Sequence, residues 1–333
     1  GLYSDPAMAD RLRGALPGGA RLEPVRTGLF SPRSGRRLDS ALRRLACPFY
    51  VTPNYLGLPP RRRAGRVRVA VVHDLIPWEI PDARRGNPKW RIFYGLPPVG
   101  RRLLTSYDHL VAVSARTAEA LGRLFRIGED RVTVIPGAPA SHFTPDSEGD
   151  GPRLRRLGVT PPYLLFVGRD DRHKNVARLI ESHRRLPESL RAAYPLVLAG
   201  EPRRPRIDDR RISVINELDD ADLPALYRGA RFVVLPSLLE GFGLPVVEAM
   251  ACGTPLLLSD RAPLDEIAGD AARYFDPEDG ESMTRVIGES LRDGPGWEAA
   301  ATAARRRAGL YSWERSAAAL LCLLSRLGSE AAR

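Results

Sequence analysis

Two basic residues follow a short apolar run in the second half of the sequence and could bind a phosphorylated ligand. Gly168, Arg169 and Lys174 lie in the segment that follows the apolar residues 163–167. Glycine permits a sharp turn, and an arginine fork beside a lysine point charge suits a diphosphate group. Taken alone, this segment fits a basic surface turn better than a binding site.

A carboxylate pair and a glycine-rich turn follow a later apolar run, at residues 231–235. Glu240 precedes the turn and Glu248 follows it. Gly241 and Gly243 let bare backbone approach a ligand, and the next proline starts a helix whose N-terminal N–H groups suit an anion. Glu248, about one turn inside that helix, could accept both hydroxyls of a ribose, and Glu240 could reach a sugar. Solvent-facing glutamates around a flexible loop do not explain this string together with the basic turn.

His73 lies at the end of an apolar run in the first half of the chain. Residues 67–72 read as a buried strand, and the segment His-Asp-Leu-Ile-Pro follows it. Ligands of open parallel sheets bind beyond the carboxyl ends of the strands, which favours a site role for His73 over a structural one. We expect Asp74 to brace the turn. Ser114, after the run 110–113, is expected to cap a helix that faces the same crevice.

Short apolar runs alternate with helical patterns along the chain, which predicts a parallel α/β architecture. Strands are predicted at residues 21–26, 49–52, 67–72, 110–113, 131–135, 163–167, 195–199, 211–215, 231–235 and 255–258, and helices at residues 88–104, 115–125, 176–186, 223–227 and from 313 onward. Residues 144–160, rich in proline, glycine and charge, predict an interdomain linker. We therefore predict two doubly wound domains, at residues 1–145 and 146–311, and a C-terminal helix at residues 312–333.

The composition excludes several classes of protein. Hydrophobic residues make up 43% of the 333 residues, which indicates a folded chain of two-domain size. The apolar runs are far shorter than the roughly 18 to 20 residues that span a bilayer, and the chain does not start like a secretory leader, which favours the cytoplasm. Three scattered cysteines and five unpaired histidines show no spacing typical of a metal site or a disulfide framework.

The net charge of +11 suggests two classes of partner, nucleic acids and anionic membranes. All but two of the 51 basic residues are arginines, spread along the chain without a nucleic-acid-binding motif. An arginine excess of this kind is typical of a GC-rich genome, so we predict no nucleic-acid partner. Basic residues at 61–63, 66 and 101–102 predict peripheral contact with an anionic membrane, for which the same compositional explanation competes.

The residue groups of the second half resemble motifs of the family 4 retaining glycosyltransferases. The spacing Glu240-x7-Glu248 matches the Glu-x7-Glu motif of that family, and Gly168-Arg169-x4-Lys174 matches its diphosphate clamp. The segment from His73 resembles the His-Asp-Leu-Ile-Pro segment of mannosyltransferase-like members, and Tyr-Ser-Trp-Glu at 311–314 resembles the start of the family's C-terminal helix. The resemblance covers about residues 67–324. It implies the GT-B fold, in which two doubly wound, Rossmann-like α/β domains face a cleft.

The resemblance implies a role for each of these residues. Glu248 would hold the donor ribose and Glu240 the transferred sugar, with His73 near that sugar as a second catalytic residue. The residues that would hold the diphosphate and sugar through cations or bare backbone are Gly168, Arg169, Lys174, Gly241, Phe242, Gly243 and Leu244. The first domain would lie on the acceptor side, the second would bind the nucleotide-sugar donor, and the C-terminal helix would pack back toward the first domain.

The implied reaction is transfer of a hexose, with mannose favoured, from a nucleoside-diphosphate sugar to a hydroxyl of a glycan or lipid-linked acceptor, with retention of the anomeric configuration. GDP-mannose is the favoured co-substrate, and neither a metal ion nor another cofactor is implied. An epimerase or phosphorylase of this fold would need a second carboxylate set or a lysine for pyridoxal phosphate, which we do not find. A non-catalytic relative that binds a nucleotide-sugar or a partner subunit is the alternative.

Two departures from the family pattern bear on these expectations. Asn216-Glu217-Leu218 replaces a Gly-aromatic-Val turn near the base, which leaves the nucleobase open. Relatives begin with a strand and a glycine-rich loop, whereas residues 1–4 already read as a second strand. The resemblance therefore implies a first domain that lacks its first strand and a chain that binds donor better than it transfers sugar. Asp220-Ala221-Asp222 imitates the metal-binding Asp-x-Asp of another glycosyltransferase fold, but we predict a helix cap there.

Overall fold

The computed structural model describes residues 2–3, 23–24, 32–45, 47–55, 66–80, 96–200, 207–216 and 218–331. In these ranges the strands are β1 (Leu2–Tyr3), β2 (Glu23–Pro24), β3 (Phe49–Thr52), β4 (Val67–Val72), β5 (His109–Ala112), β6 (Val132–Val134), β7 (Tyr163–Val167), β8 (Leu196–Ala199), β9 (Ile212–Ile215), β10 (Ala230–Leu235), β11 (Leu256–Ser259) and β12 (Ala272–Phe275). The α-helices of the same ranges are α1 (Pro32–Leu45), α2 (Ile76–Glu79), α3 (Pro97–Leu104), α4 (Ala115–Phe125), α5 (Asp150–Arg156), α6 (Val176–Arg185), α7 (Glu188–Ala193), α8 (Leu223–Gly229), α9 (Leu244–Cys252), α10 (Leu264–Ala268), α11 (Gly280–Arg292), α12 (Gly294–Ala308) and α13 (Trp313–Ala331).

The second domain is built on a parallel sheet of six strands in the order β12-β11-β10-β7-β8-β9. Every residue of β7 and β8 is buried, which explains why these strands are continuous apolar runs rather than alternating ones. The chain runs outward from β7 to β9 and then returns to β10 on the other side, so the strand order reverses between β7 and β10. The crevice at such a reversal, beyond the carboxyl ends of the strands, is where open parallel sheets bind ligands.

The first domain contains a parallel sheet of four strands in the order β3-β4-β5-β6, and β1 and β2 form a separate parallel pair. Helix α13 packs on the four-stranded sheet, where Leu323 is buried in one apolar cluster with Val67 and Val111. The Ser316 hydroxyl of α13 also donates to the carbonyl of Pro136, at 2.7 Å. The last helix therefore ties the end of the described chain to the first domain. Neither α13 nor any other helix among the described residues has the length and apolar character needed to cross a membrane.

The two parallel sheets with their helices confirm the predicted α/β class. Each predicted strand is present within about two residues of its expected bounds, and α4 has the predicted bounds. Strand β12 was not predicted, because exposed Arg273 interrupts its apolar pattern. The first part of the helix expected at residues 88–104 lies outside the described residues, as do the basic residues 61–63 and Glu217 of the turn near the base.

Two interpretations of the sequence are wrong. The expected linker at residues 144–160 contains helix α5. This helix packs on the second domain, because Leu154 is buried in its apolar core and Asp150 forms an ion pair with Arg228 at 2.6 Å. Asp222 precedes α8 but its side chain makes no capping bond to the helix backbone. Its Oδ1 accepts instead from the guanidinium of Arg156, at 2.6 Å, because α5 lies against α8.

Candidate active site

A cavity of about 830 Å³ lies between the two domains, at the carboxyl ends of β4, β7 and β10. The first domain lines it with His73 and Asp74, and the second domain with residues of the loops after β7 and β10. Trp313, at the start of α13, lines the same cavity, with about half of its surface exposed. Residues far apart in the chain thus meet at the topological reversal of the second sheet.

Glu240 is a buried carboxylate at the centre of this cavity wall. Its Oε1 accepts hydrogen bonds from the Lys174 ammonium at 2.6 Å and from the Ser237 hydroxyl at 2.7 Å. The side chains of Lys174 and Glu240 are only 16% and 8% exposed. A buried charge needs such a partner, so the Lys174 ammonium and the Glu240 carboxylate compensate each other.

The loop after β7 brings Lys174 to Glu240 because it is bound to the loop after β10. A 3₁₀ turn, Arg172–Lys174, ends at Asn175, whose left-handed backbone has φ of 56°. The Asn175 amide donates to the Pro236 carbonyl at 3.2 Å, and the His173 carbonyl accepts from the Leu238 N–H at 2.7 Å. Burial, assisted by the charge of Lys174, lowers the pKa of His173, so this imidazole is neutral near pH 7.

Helix α9 begins at the cavity, where its first two residues, Leu244 and Pro245, are part of the lining. Gly243 precedes the helix with φ of 98°, a conformation that favours glycine, and Pro245 follows in the first turn. At Gly241 the chain passes so close to the first domain that an added Cβ would lie 2.0 Å from the carbonyl oxygen of His73. Phe242 is buried against Tyr311, with ring centroids 5.9 Å apart, whereas Leu244 is 46% exposed in the cavity.

Arg169 lies on the cavity wall with its side chain largely in solvent. Its side chain is 67% exposed, and its Nε lies 3.5 Å from a carboxylate oxygen of Asp171. Gly168, just before it, has φ of 153°, and its carbonyl would lie 2.5 Å from a Cβ added at Gly200. The glycine pair therefore lets β7 and β8 end closely side by side, while Arg169 remains available to a ligand.

Glu248 is bound to a tyrosine of the neighbouring helix α8. Its Oε2 accepts from the Tyr227 hydroxyl at 2.8 Å. Burial raises the pKa of Glu248, and the hydrogen bond from Tyr227 offsets part of that increase. Burial also raises the pKa of Tyr227 well above its ordinary value, so this hydroxyl stays protonated and orients the carboxylate.

His73 is exposed to the cavity, and its ring is oriented by the first domain. Its Nε2 lies 2.7 Å from the carbonyl oxygen of Pro53. A carbonyl only accepts, so Nε2 carries a proton and donates in this contact. The Asp74 carboxylate accepts from the Ile76 N–H at 3.1 Å, which confirms the predicted brace of the turn. Burial raises the pKa of Asp74.

The predicted site residues that line this one cavity are His73, Arg169, Lys174, Glu240, Gly241, Phe242, Gly243 and Leu244. Gly168 and Glu248 do not line the cavity. Other residues of their elements do, in the β7–α6 loop for Gly168 and in α9 for Glu248. Sequence reasoning missed Ser237 and Tyr227 as partners of the two glutamates, because a hydroxyl residue carries no signal of its partner before the fold is known. The roles of these residues in binding and transfer stay predictions.

Two stretches of the sequence match known protein families. Residues 155–307 match the family described as "Glycosyl transferases group 1". Residues 4–138 match "Glycosyltransferase Family 4". The second match falls on the domain with His73, and the first covers the domain with Arg169, Lys174 and Glu240. Both halves of the cavity therefore come from sequences typical of glycosyltransferases.

Individual proteins are similar over most of the chain. O-antigen chain mannosyltransferase B of Escherichia coli is 31% identical over 308 residues, which cover 88% of this chain and 78% of that protein. Serotype-specific mannosyltransferase WbdA of Escherichia coli is 30% identical over 270 residues, and the match spans 75% of this chain but only 32% of WbdA. The fold resembles the crystal structure of Anabaena HepE in complex with UDP and glucose, with a TM-score of 0.74 and 15% identity over 97% of this chain and 91% of that one. The chain belongs to glycosyltransferase family 4 and has the GT-B fold.

Proposed function

We propose that this glycosyltransferase moves a mannosyl group from GDP-mannose to a hydroxyl of a glycan or lipid-linked acceptor, with retention of the anomeric configuration. The observation that carries the proposal is the Lys174–Glu240 ion pair at 2.6 Å, which shares one interdomain cavity with His73 and the start of α9. Mannose is supported by the names of the similar E. coli proteins, which are mannosyltransferases.

In this proposal the donor diphosphate binds between Arg169, Lys174 and the N-terminus of α9. Two cations and the positive end of the α9 dipole can balance its charge, so neither a metal ion nor another cofactor is needed. Lys174 would exchange Glu240 for a phosphate oxygen. Glu240 then becomes free to accept a hydroxyl of the sugar, and Glu248, oriented by Tyr227, accepts the ribose hydroxyls.

Transfer itself breaks the bond between the anomeric carbon and the β-phosphate oxygen and forms a bond to the acceptor oxygen. Retention requires that the acceptor approach from the face that the diphosphate leaves, so the departing phosphate oxygen is the base nearest to the acceptor proton. Charge develops on that oxygen, where Arg169 and Lys174 stabilise it. His73 faces the sugar from the first domain with its ring held by Pro53, and closing the cleft excludes water.

The test is turnover of GDP-mannose by the whole chain, with a panel of oligosaccharide and lipid-linked acceptors. We expect release of GDP and an α-linked product, identified by the one-bond coupling between its anomeric carbon and proton in NMR spectra. Glu240→Gln should lower kcat about 100- to 1000-fold, the range for lost transition-state contacts of this kind. Turnover of UDP-glucose in place of GDP-mannose would overturn the choice of donor. Binding of GDP without turnover of any donor would favour the non-catalytic alternative.

The proposed place of action is the cytoplasm, with peripheral contact at the inner face of the membrane when the acceptor is lipid-linked. The support for this is the exposed surface of α3. Leu96, just before α3, and Val99, in its first turn, are 48% and 39% exposed, and Arg101 and Arg102 of the same helix are exposed as well. Apolar and cationic side chains on one short helix are what an anionic bilayer surface attracts.

A further inference from the structure

A second contact joins the two domains beside the cavity, at the start of helix α4. Glu266, on α10 of the second domain, accepts with Oε1 from the Ala115 N–H at 2.9 Å and with Oε2 from the Arg116 N–H at 3.4 Å. The first N–H groups of a helix lack partners within the helix. Ser114 caps α4 from its own domain by accepting from the Thr117 N–H at 3.1 Å, as predicted. A carboxylate of the other domain completes this cap.

The same helix start binds the loop that carries Glu240. The Ser114 hydroxyl donates to the Gly241 carbonyl at 2.7 Å, and the Thr117 hydroxyl donates to the same oxygen at 3.1 Å. Ser114 and Thr117 are buried, with 0% and 2% exposure, so these bonds are shielded from water. The position of the first domain and the shape of the loop at Gly241 are therefore coupled by direct hydrogen bonds.

The second domain braces Glu266 from behind. The Arg307 guanidinium donates to the carbonyl oxygens of Glu266 at 2.7 Å and Ile267 at 2.8 Å. The Tyr311 hydroxyl also donates to the Ile267 carbonyl, at 3.0 Å, and its ring packs against Phe242 of the loop after Glu240. The short helix α10 is thus fixed relative to that loop, and its carboxylate is presented to the other domain in a defined place.

The charged side chains nearby do not compete for Glu266. The Arg116 guanidinium forms an ion pair with Glu79 of its own domain at 2.7 Å, and Arg123 pairs with the same carboxylate. The carboxylate of Glu266 meets backbone N–H groups at the positive end of α4, where a negative charge is favoured. Because backbone donors have fixed positions, this contact requires one arrangement of the two domains.

We propose that Glu266, Ser114, Thr117 and the Gly241 carbonyl form a closure contact, and that Glu266 is a positioning residue for sugar transfer. The inference rests on the proposed transfer activity. The closure contact holds the first domain, with His73 and the acceptor side of the cavity, in register with the loop that carries Glu240. In the proposed site GDP binds to residues of the second domain and does not need the contact, whereas transfer across the cleft does.

The experiment compares Glu266→Ala and Glu266→Gln with the parent and with Glu289→Gln, which removes an exposed carboxylate on α11. We expect Glu266→Ala to lower kcat about 30- to 100-fold, since misplacement by about 1 Å costs on the order of a hundredfold. The GDP dissociation constant from calorimetry should change by less than about threefold. Glu266→Gln keeps an acceptor oxygen and should recover part of kcat. Equal kcat for Glu266→Ala and Glu289→Gln, or a loss of GDP affinity as large as the loss of kcat, overturns the proposal.

A second measurement separates this inference from the proposed reaction. Small-angle X-ray scattering with saturating GDP should give a larger radius of gyration for Glu266→Ala than for the parent, at temperatures where both are folded by circular dichroism. Ser114→Ala combined with Thr117→Val should produce the same expansion, because it removes the other half of the closure contact. The radius of gyration tests the closure contact even if the protein turns over no donor. Equal radii for all variants overturn the closure contact, whatever the reaction.

Discussion

At the residue scale, Lys174 and Glu240 form a buried ion pair on the wall of the interdomain cavity. The Glu240 carboxylate accepts hydrogen bonds from the Lys174 ammonium and from the neutral Ser237 hydroxyl. A buried ion pair of this kind adds little net stability, but the loss of one partner leaves the other uncompensated. Under the proposed function, a phosphate oxygen takes the place of Glu240 beside Lys174, so we expect the pair to matter more for ligand binding than for folding.

Replacing Lys174 should weaken the binding of nucleoside diphosphates. Lys174→Ala removes one charge-assisted contact, so binding of GDP should lose about 1.5 to 3 kcal/mol. Calorimetry with GDP, UDP and ADP in excess chelator measures the loss and also identifies the preferred base. Arg285→Ala, which removes an exposed cation from α11, is the matched control. If Lys174→Ala binds every nucleotide as tightly as this control does, the diphosphate site is wrongly placed.

The ionised Glu248 carboxylate is expected to support nucleotide binding and to lower the free energy of unfolding. Burial raises its pKa, so the folded state binds the proton more tightly than the unfolded chain, and the ionised form at neutral pH is destabilising. Glu248→Gln removes that charge but keeps an oxygen for the Tyr227 hydroxyl. We expect a higher melting temperature than the parent at pH 7.5, with weaker GDP binding.

The advantage of Glu248→Gln should shrink as the pH falls through the raised pKa of Glu248, because the parent carboxyl then becomes neutral as well. Thermal melts of the two proteins between pH 4 and pH 8 measure this difference (roughly the range in which a raised carboxyl titrates). Tyr227→Phe provides the comparison in which the charge remains and its hydrogen bond is lost. A lower melting temperature for Glu248→Gln at every pH would contradict the prediction.

At the element scale, the loop between β10 and α9 determines how closely the two domains approach. Its backbone at Gly241 meets the backbone of His73, so the contact cannot relax by moving a flexible side chain. Its other end starts α9 at Gly243, and its middle is held through Phe242 and Tyr311. One loop thus lines the cavity and contacts both the first domain and the C-terminal part of the chain.

Gly241→Ala should separate the two domains without unfolding either one. The added Cβ would lie 2.0 Å from the His73 carbonyl oxygen, so the domains must move apart. We expect kcat to fall at least about 100-fold, from misalignment across the cleft. Gly122→Ala, inside α4, is the control, because its Cβ would meet nothing closer than 3.7 Å and should add about 0.5 to 1 kcal/mol of stability. Full activity of Gly241→Ala would show that the cleft does not need this close approach.

At the scale of the whole molecule, the basic surface is expected to act through membrane lipids rather than through nucleic acid. Arg101 and Arg102 are exposed on α3, and each cation near an anionic surface contributes about 1 kcal/mol. Loss of the two cations alone should lower the partition coefficient on anionic vesicles about 30-fold, so Arg101→Glu with Arg102→Glu, which also adds two repelled anions, should lower it by at least that factor. Sedimentation with neutral and anionic liposomes at two salt concentrations measures it.

The control for that surface places the same charge reversals on the second domain, at Arg285 and Arg292 of α11, which are also exposed. Reversal of two charges there should change binding less, because the proposal assigns the lipid contact to the first domain. Equal, salt-insensitive recovery of the parent on neutral and anionic vesicles would leave only the compositional explanation of the arginines.

Much of the fold and the placement of the site could be predicted from the sequence, because both depend on local patterns. Buried parallel strands are continuous apolar runs, and turn residues follow them, so the run before Gly168 and the run before Glu240 identify β7 and β10 and their carboxyl ends. The rule that ligands bind at those ends then predicts one crevice for His73, Arg169 and Lys174. Helix α5 was missed, because its proline, glycine and charged residues are also those of a linker.

The sequence by itself determined most of the strands and the chemical groups at their carboxyl ends, whereas the tertiary structure decided how these groups pair. Lys174 and Glu240 are 66 positions apart, and Glu266 reaches a helix start 151 positions away. Whether such groups lie 3 Å or 10 Å apart depends on how helices cross and domains close, to which residues distant in the chain contribute. The spacing of residues along the sequence does not specify how the helices cross. The partners of Glu240, Glu248 and Glu266 therefore emerge only when both domains are folded against each other.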